Sequence, residues 1–248
     1  MFLACLYIKA NPISVLVQVP TVQYGDIKMK QWIGLGDIHD NISLLENFSE
    51  ISNVNGVILH GDITNGGILS NLELIISNIL SKNPNLYAQA GNMDGFGILD
   101  NLDQKTKLLH RRGYELSPGV GIMGVGMSTP TPFQTPGEIS DDQLGQWLEE
   151  TWQTISHFSH TCVVTHDPPY GTHLDRTSGK HVGSRAVLNF IKKHQPDILL
   201  CGHIHESKGK DYIGKTKAVN PGTFGSGGYA LIQYDNDTID IHFKQIRC

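Results

Sequence analysis

Positive charge is scarce in this sequence. Nineteen Lys+Arg stand against 24 Asp+Glu, for a net charge of −5 over 248 residues. That leaves no basic surface to drive non-specific nucleic-acid binding. Charge of either sign is thin at 17% of residues, below the roughly 25% of ordinary soluble domains. No apolar run approaches the ~18 residues that span a bilayer, so a membrane partner is not expected. Cysteine is sparse as well. Cys5, Cys162, Cys201 and Cys248 form no C-x-x-C pair and no disulfide framework, which fits a reducing cytoplasm. The apolar stretch 2–8 is too short for a secretory leader and lacks a basic start.

Histidine and glycine are plentiful, at 12 and 27. Short apolar runs at 33–36, 57–60, 86–90, 162–165, 198–201, 229–234 and 238–243 read as strands. The Gly-spaced run 119–124 reads as another, because the Pro-rich segment after it rules out the helix a dinucleotide site requires. Helical spacing of apolar residues recurs at 42–51, 69–80 and 186–194. A further helix should begin after Ser140, with Gln143 at the capping-box position and Asp141 and Asp142 in its first turn. The alternation predicts an α/β layered fold whose final strands are antiparallel. Residues 1–28 carry no motif and read as an extension upstream of Met29 or an added edge strand. Residues 29–248 read as one domain.

Five segments each follow a strand-like run with glycine and metal-type ligands. They are Gly36-Asp37-Ile38-His39, Gly61-Asp62, Gly91-Asn92-Met93-Asp94, His166-Asp167-Pro168-Pro169 and Gly202-His203-Ile204-His205. Ligands at the carboxyl ends of strands are what open α/β sheets collect. The set is imidazole, carboxylate and amide oxygen without thiolate, which favours Mn, Fe, Zn or Ni, with manganese expected first. The seven ligands Asp37, His39, Asp62, Asn92, His166, His203 and His205 are too many for one tetrahedral site. They suit two adjacent ions, with Asp62 as the bridge.

In this order the five segments resemble the calcineurin-like metallophosphoesterases, over roughly residues 31–245. The stretches Pro130-Thr131-Pro132-Phe133, Pro168-Pro169-Tyr170-Gly171-Thr172, His181-Val182-Gly183-Ser184 and Asn220-Pro221-Gly222 look like a prokaryotic branch. The resemblance implies a four-layer αββα sandwich with two mixed sheets. It implies Asp37, His39, Asp62 and His205 around one ion and Asp62, Asn92, His166 and His203 around the other. The expected activity is hydrolysis of phosphate esters by a hydroxide bridging the two ions.

The departure from the pattern is Met93, where many members of that family carry a histidine that neutralises the transition state and protonates the leaving group. A thioether does neither. Catalytic candidates to fill that role are His181 and His173, on the loop after His166, with Asp94 as a turn residue, a support hydrogen-bonded behind a ligand, or a catalytic carboxylate. Asn92 and Arg185 are the substrate-binding candidates. Without the histidine, activated leaving groups should suffer least, so phosphodiesters are expected before monoesters. The alternative is a metal-binding scaffold or partner-binding module with little catalysis. The expected partner is a small phosphate ester, with nucleic acid disfavoured and homo-oligomerisation open. The loop 128–138 reads as a lid beside the metals or a rigid connection. His60 and Cys201 read as buried packing.

Overall fold

The computed structural model describes residues 29–246, so both readings of residues 1–28 lie outside the described residues. Its strands are β1 (Lys30–Leu35), β2 (Gly56–Leu59), β3 (Leu86–Ala88), β4 (Lys107–Leu108), β5 (Arg112–Ser117), β6 (Val120–Val125), β7 (His160–Thr165), β8 (Arg176–Thr177), β9 (Lys180–His181), β10 (Ile198–Leu200), β11 (Gly209–Ile213), β12 (Thr216–Asn220), β13 (Gly228–Tyr234) and β14 (Ile239–Gln245). The α-helices are α1 (Leu69–Lys82), α2 (Leu99–Lys105), α3 (Asp141–Trp152) and α4 (Arg185–His194). One six-stranded sheet runs β14-β13-β1-β2-β3-β4 and a second runs β11-β12-β10-β7-β6-β5. In the first, β1 to β4 are parallel, while β13 and β14 join antiparallel. In the second, β12, β10, β7 and β6 are parallel between antiparallel edges.

Strand alternation separates three apolar layers. Trp32, Ile58, Val164, Leu200, Val219 and Ile232 fill the space between the sheets. Their chain neighbours point outward, and Ile33, Val57 and Leu59 meet α1 through Leu72, Ile75, Ile76 and Ile79. On the other side Val163 and Leu199 meet Leu144 and Leu148 of α3 and Val187, Phe190 and Ile191 of α4. Each fully buried Leu or Ile contributes about 1.5–3 kcal/mol. The result is the four-layer αββα sandwich with two mixed sheets. Sheet-to-sheet spacing leaves no room at Gly34, where an added Cβ would lie 2.6 Å from Leu200.

The helices start where the sequence sets their caps. Ser140 Oγ accepts from the Gln143 N–H of α3, and Ser184 Oγ accepts from the Val187 N–H of α4. The expected helix over 42–51 is not one. Ile42, Leu44, Leu45, Phe48 and Ile51 do turn inward, but through successive i→i−3 turns ending in a 3-10 helix at Ser49–Asn53. Lys82 Nζ donates to the Leu45 and Glu46 carbonyls, which an α-helix would need for its own ladder. Apolar spacing reports which face is buried, and both helix types bury residues three apart.

Candidate metal centre

Strand order brings the five ligand segments to one place. β1, β2 and β3 are adjacent and parallel in the first sheet, as are β7 and β10 in the second. Their carboxyl ends deliver Asp37, Asp62, Asn92, His166 and His203. The turns there are tight. Asp37, His39, Asp62 and His203 all have left-handed backbone, with φ of 47°, 49°, 48° and 69°. Non-glycine residues adopt that region at a cost of about 1–3 kcal/mol each, and such strain gathers at functional sites. Cross-loop hydrogen bonds hold it. Asp37 N–H donates to Gly61 O, and the Ile38 and His39 N–H groups donate to Asp62 O. Gly91 has to be glycine, because an added Cβ would overlap the Asp62 carboxylate.

Two clusters result, Asp37–His39–His205 and Asp62–His166–His203, each with its three donor atoms within 4.8 Å of one another. In the first, His205 Nε2 lies 3.2 Å from Asp37 Oδ1 and 3.2 Å from His39 Nε2. In the second, His166 Nε2 is 3.3 Å from Asp62 Oδ2 and 3.0 Å from Asn92 Oδ1. Asp62 Oδ2 also stands 3.7 Å from His39 Nε2, so its carboxylate faces both clusters. Asp62 Oδ1 accepts from the Met93 N–H at 2.8 Å, which fixes the carboxylate's tilt.

The remaining ring atoms show that these donors fit cations. His39 Nδ1 donates to Asn65 Oδ1 at 2.9 Å, and Asn65 Nδ2 donates back to the His39 carbonyl. His166 Nδ1 donates to the His60 carbonyl at 3.2 Å. With Nδ1 donating in both rings, Nε2 is the atom each turns to the space shared with carboxylate and amide oxygens. Once Nε2 gives up its proton, that space is bordered by lone pairs alone, which suits divalent cations. Asn92 Nδ2 donates to Thr135 Oγ1 at 3.0 Å, so Asn92 Oδ1 is the end left facing His166.

The electrostatics are those of a dense Asp/His cluster. Burial works to raise the Asp37 and Asp62 carboxyls, but the His205 hydrogen bond and His166 hold Asp37 below the usual carboxylate range, and His166 does so for Asp62. Burial lowers His166, yet the nearby Asp62 outweighs it and pushes the imidazole up to about 9. His203 is pushed down by burial, whereas at His205 the Asp37 bond overcomes burial and the shift is upward. A cation entering here must displace the protons these imidazoles hold.

The sequence-derived candidates divide clearly. Six of the seven ligand candidates form the two clusters, and the seventh, Asn92, adjoins the second through its Oδ1 beside His166. Asp94, 2% exposed, has no access to solvent. Its carboxylate accepts from Ile63 N–H, Thr64 N–H, Thr64 Oγ1 and Gly91 N–H at 2.7–3.0 Å, clamping the Asp62 turn to the Asn92 turn. Burial, then the Asp62 charge, pushes its carboxyl up to about 7 against those hydrogen bonds. His181 is half-buried on β9 and donates from Nδ1 to Asp175 Oδ1 at 2.6 Å. Asp175 is fully buried and also accepts from the Gly171, Thr172 and Gly183 N–H groups. The β8–β9 hairpin abuts the turn carrying His205, through paired hydrogen bonds between Arg176 and Ser207. His173 is exposed, with its backbone N–H held by Asp211. Arg185 lies over the Tyr170 ring at 3.9 Å, and that ring lies 5.8 Å from His181.

His60 is fully buried, and neither ring nitrogen has a hydrogen-bond partner. Its ring is pressed between Gly36 and Gly202, where added Cβ atoms would overlap it. Burial pushes it down to about 4, so it is neutral beneath the cluster. Sequence reasoning missed Asn65, Thr135, Asp175 and Asn220. Asn65 had a signal, three residues after Asp62 on the same turn. Asn220 lay in the quoted Asn-Pro-Gly stretch. It donates from Nδ2 to the Leu174, Gly202 and Ile204 carbonyls, and its Oδ1 accepts from Gly222 N–H.

Residues 156–244 match the family described as metallophosphoesterase, calcineurin superfamily. The uncharacterized protein MJ1162 of Methanocaldococcus jannaschii is 28% identical over 202 residues, covering 79% of this chain and 89% of that protein. Among solved structures, a dimetal phosphatase from Danio rerio is similar at a TM-score of 0.66 and 12% identity, covering 87% of this chain and 96% of that one. TT1561 of Thermus thermophilus reaches the same TM-score at 15% identity, covering 86% and 98%. At those identities the two structures establish the fold. No helix among the described residues is long and apolar enough to cross a membrane.

Proposed function

We propose that the chain is a metallophosphoesterase of the calcineurin type, like the family its residues 156–244 match, and that it hydrolyses small phosphate esters at a two-cation centre, phosphodiesters before monoesters. The observation that carries this reading is the pair of three-donor clusters that both border on the Asp62 carboxylate. Asp37, His39, Asp62 and His205 would hold one cation, and Asp62, Asn92, His166 and His203 the other; mixed imidazole and oxygen donors suit divalent transition metals, and manganese is our candidate among them. Such a pair supplies a water of lowered pKa and neutralises charge developing on the phosphoryl group.

The chain's own groups do the rest. Asn65 and the His60 carbonyl keep His39 and His166 in one tautomer and orientation. Asp175 fixes the His181 ring, leaving Nε2 to deliver a proton to the leaving oxygen in place of the histidine absent at Met93. His173, exposed and unanchored at its ring, is the lesser donor. Arg185, steadied on Tyr170, binds a phosphate oxygen. Asp94 holds two ligand turns together and so positions the site without touching substrate. A reducing, cytoplasmic setting belongs to the same reading, supported by the free buried thiols Cys162 and Cys201.

The test is hydrolysis of bis-p-nitrophenyl phosphate with Mn²⁺, alongside Asp62→Asn, His166→Ala and His181→Gln. The two ligand variants should fall to background. His181→Gln should lose about 10²–10⁴-fold in kcat, the usual span of a proton donor, and lose less with p-nitrophenolate than with an alkoxide leaving group. Wild type no faster than Asp62→Asn would overturn the enzymatic reading. Met93 favours one other reading, a metal-binding module without turnover, which stoichiometric cation binding without hydrolysis would support.

A further inference from the structure

Among the described residues, Phe133 is the most exposed large hydrophobic side chain, at 84%. It is not on a loose tip. Its loop is braced from within by Glu138, whose Oε1 accepts from Thr131 Oγ1, Thr135 N–H and Thr135 Oγ1 at 2.6–2.8 Å. Phe133 N–H donates to Thr131 Oγ1, and Pro130, Pro132 and Pro136 stiffen the rest.

The same loop is fastened to the candidate metal centre at three points. Thr135 Oγ1 accepts from Asn92 Nδ2, Gly137 N–H donates to the Asn92 carbonyl at 2.8 Å, and Asp167 Oδ2 accepts from both the N–H and the hydroxyl of Thr129. Phe133 therefore stands two residues from a side chain that touches a ligand. Beside it the Asn92 turn adds further apolar surface. Met93 is half-buried, Phe96 is 45% exposed, and Gly95 between them lies against Pro136. A braced loop that keeps a phenyl ring in water two residues from its contact with Asn92 gains nothing for the fold from it. The ring has a π-face free for a flat partner.

We propose that Phe133 is a specificity residue, the platform on which an aromatic group of the phosphate ester stacks while its phosphoryl group reaches the cations. This deepens the phosphoesterase reading and rests on it. The substrate class it names is esters carrying an aryl ring or a nucleobase. Met93 is consistent with this chemistry, since an apolar side chain at that position borders an aromatic group better than a charged one does.

The experiment compares equilibrium binding of three probes to the Mn²⁺-loaded protein: phenylphosphonate, adenosine 5′-monophosphate and methylphosphonate. It uses wild type, Phe133→Ala, Phe133→Leu and Phe133→Trp, with kcat/KM for bis-p-nitrophenyl phosphate measured in parallel. Phe133→Ala should weaken at least one aromatic probe by about 5–100-fold, Trp should restore it, Leu should not, and methylphosphonate should shift by less than about 2-fold. Which aromatic probe responds separates a ring directly on phosphorus from a nucleobase one ribose away. The inference is overturned if both aromatic probes are unchanged, or if methylphosphonate weakens as much as they do. If wild type binds with this selectivity yet hydrolyses nothing, the phosphoesterase reading falls and the platform stands. If hydrolysis depends on Asp62 but not selectively on Phe133, the platform alone falls.

Discussion

Asn220 offers the sharpest test of how the site is held. The residue is fully buried at the end of β12. Its amide nitrogen lies 2.9 Å from the Ile204 carbonyl and 3.3 Å from those of Gly202 and Leu174, while its Oδ1 takes the Gly222 N–H at 2.8 Å. Gly202 and Ile204 flank His203, and Ile204 precedes His205, so one neutral side chain fixes both halves of the histidine motif. Asn220→Asp keeps the shape and the bond from Gly222 but turns the donor into an acceptor facing three carbonyls. A buried polar group left without its partner costs about 1–3 kcal/mol, and repulsion among the oxygens adds to it, so a loss of about 2–4 kcal/mol is expected. At this chain length that lowers the melting temperature by roughly 4–16 °C. The carboxyl introduced should have a folded pKa above its ordinary ~3.9, because the protonated form alone can donate to Ile204. A raised folded pKa means the folded state holds the proton more tightly, so the penalty shrinks as pH falls and grows as pH rises through that value. The assay is thermal melting between pH 5 and 8 with cation titration at each pH. A variant that melts like wild type at pH 8, or that melts early with unchanged cation affinity, would refute the argument.

Three further outcomes follow from other contacts. Asn65→Leu removes the acceptor that orients His39 and should weaken binding of one of two Mn²⁺ ions by about 10–100-fold in calorimetric titration, with the melting temperature of the cation-free protein little changed. Gly91→Ala drives a methyl group into the Asp62 carboxylate and should abolish binding of both cations, since Asp62 borders both clusters; two-site binding in that variant would contradict the assignment. His110 is pushed down to about 4 from 6.5 by burial and then by Arg111, so the folded state refuses a proton the unfolded chain accepts. Stability should therefore be full above pH 6.5 and fall toward pH 4, by up to about 1.4 kcal/mol per pH unit. His110→Gln, which keeps an acceptor for the Gly126 N–H, should flatten that slope in chemical denaturation.

The ligand segments were legible because each is local. A glycine turn after an apolar strand, with Asp or His next to it, requires only neighbouring residues to be recognised. Their convergence needed one more fact, that parallel neighbouring strands end on the same side, and the alternation of strands and helices supplied it. The orienting residues are a different case. Thr135 acts through Asn92, 43 positions away, and Asn220 acts through a turn 18 positions earlier. Nothing local shows the distant contact that either one makes. Asp175 takes the Gly171 and Thr172 N–H groups from its own turn, but it is the closed hairpin β8–β9 that brings the Gly183 N–H and His181 onto it. The segment 42–51 shows the limit from the other side. Its apolar spacing correctly marked the buried face, but the Leu45 and Glu46 carbonyls are taken by Lys82, 37 and 36 positions on, instead of by an α ladder.

The left-handed turns connect these observations. Asp37, His39, Asp62 and His203 would each relax if isolated, because a β-carbon is unwelcome at positive φ. They do not relax because each turn is tied to another. Asp37 donates to the Gly61 carbonyl, while both oxygens of its carboxylate accept from His203 N–H. Asp62 takes two N–H groups from the Asp37 turn and one from the Asn92 turn, and Gly202 donates to the His166 carbonyl. These bonds run between ligand loops of both sheets. The strain is thus shared across the whole centre, and no ligand can move without loosening its neighbours. A site built this way has its donors close to position before a cation arrives. It also explains the many glycines beside the ligands: at Gly36, Gly91 and Gly202 a β-carbon would strike His60, Asp62 or Asp37, the groups that crossing loops must bring together.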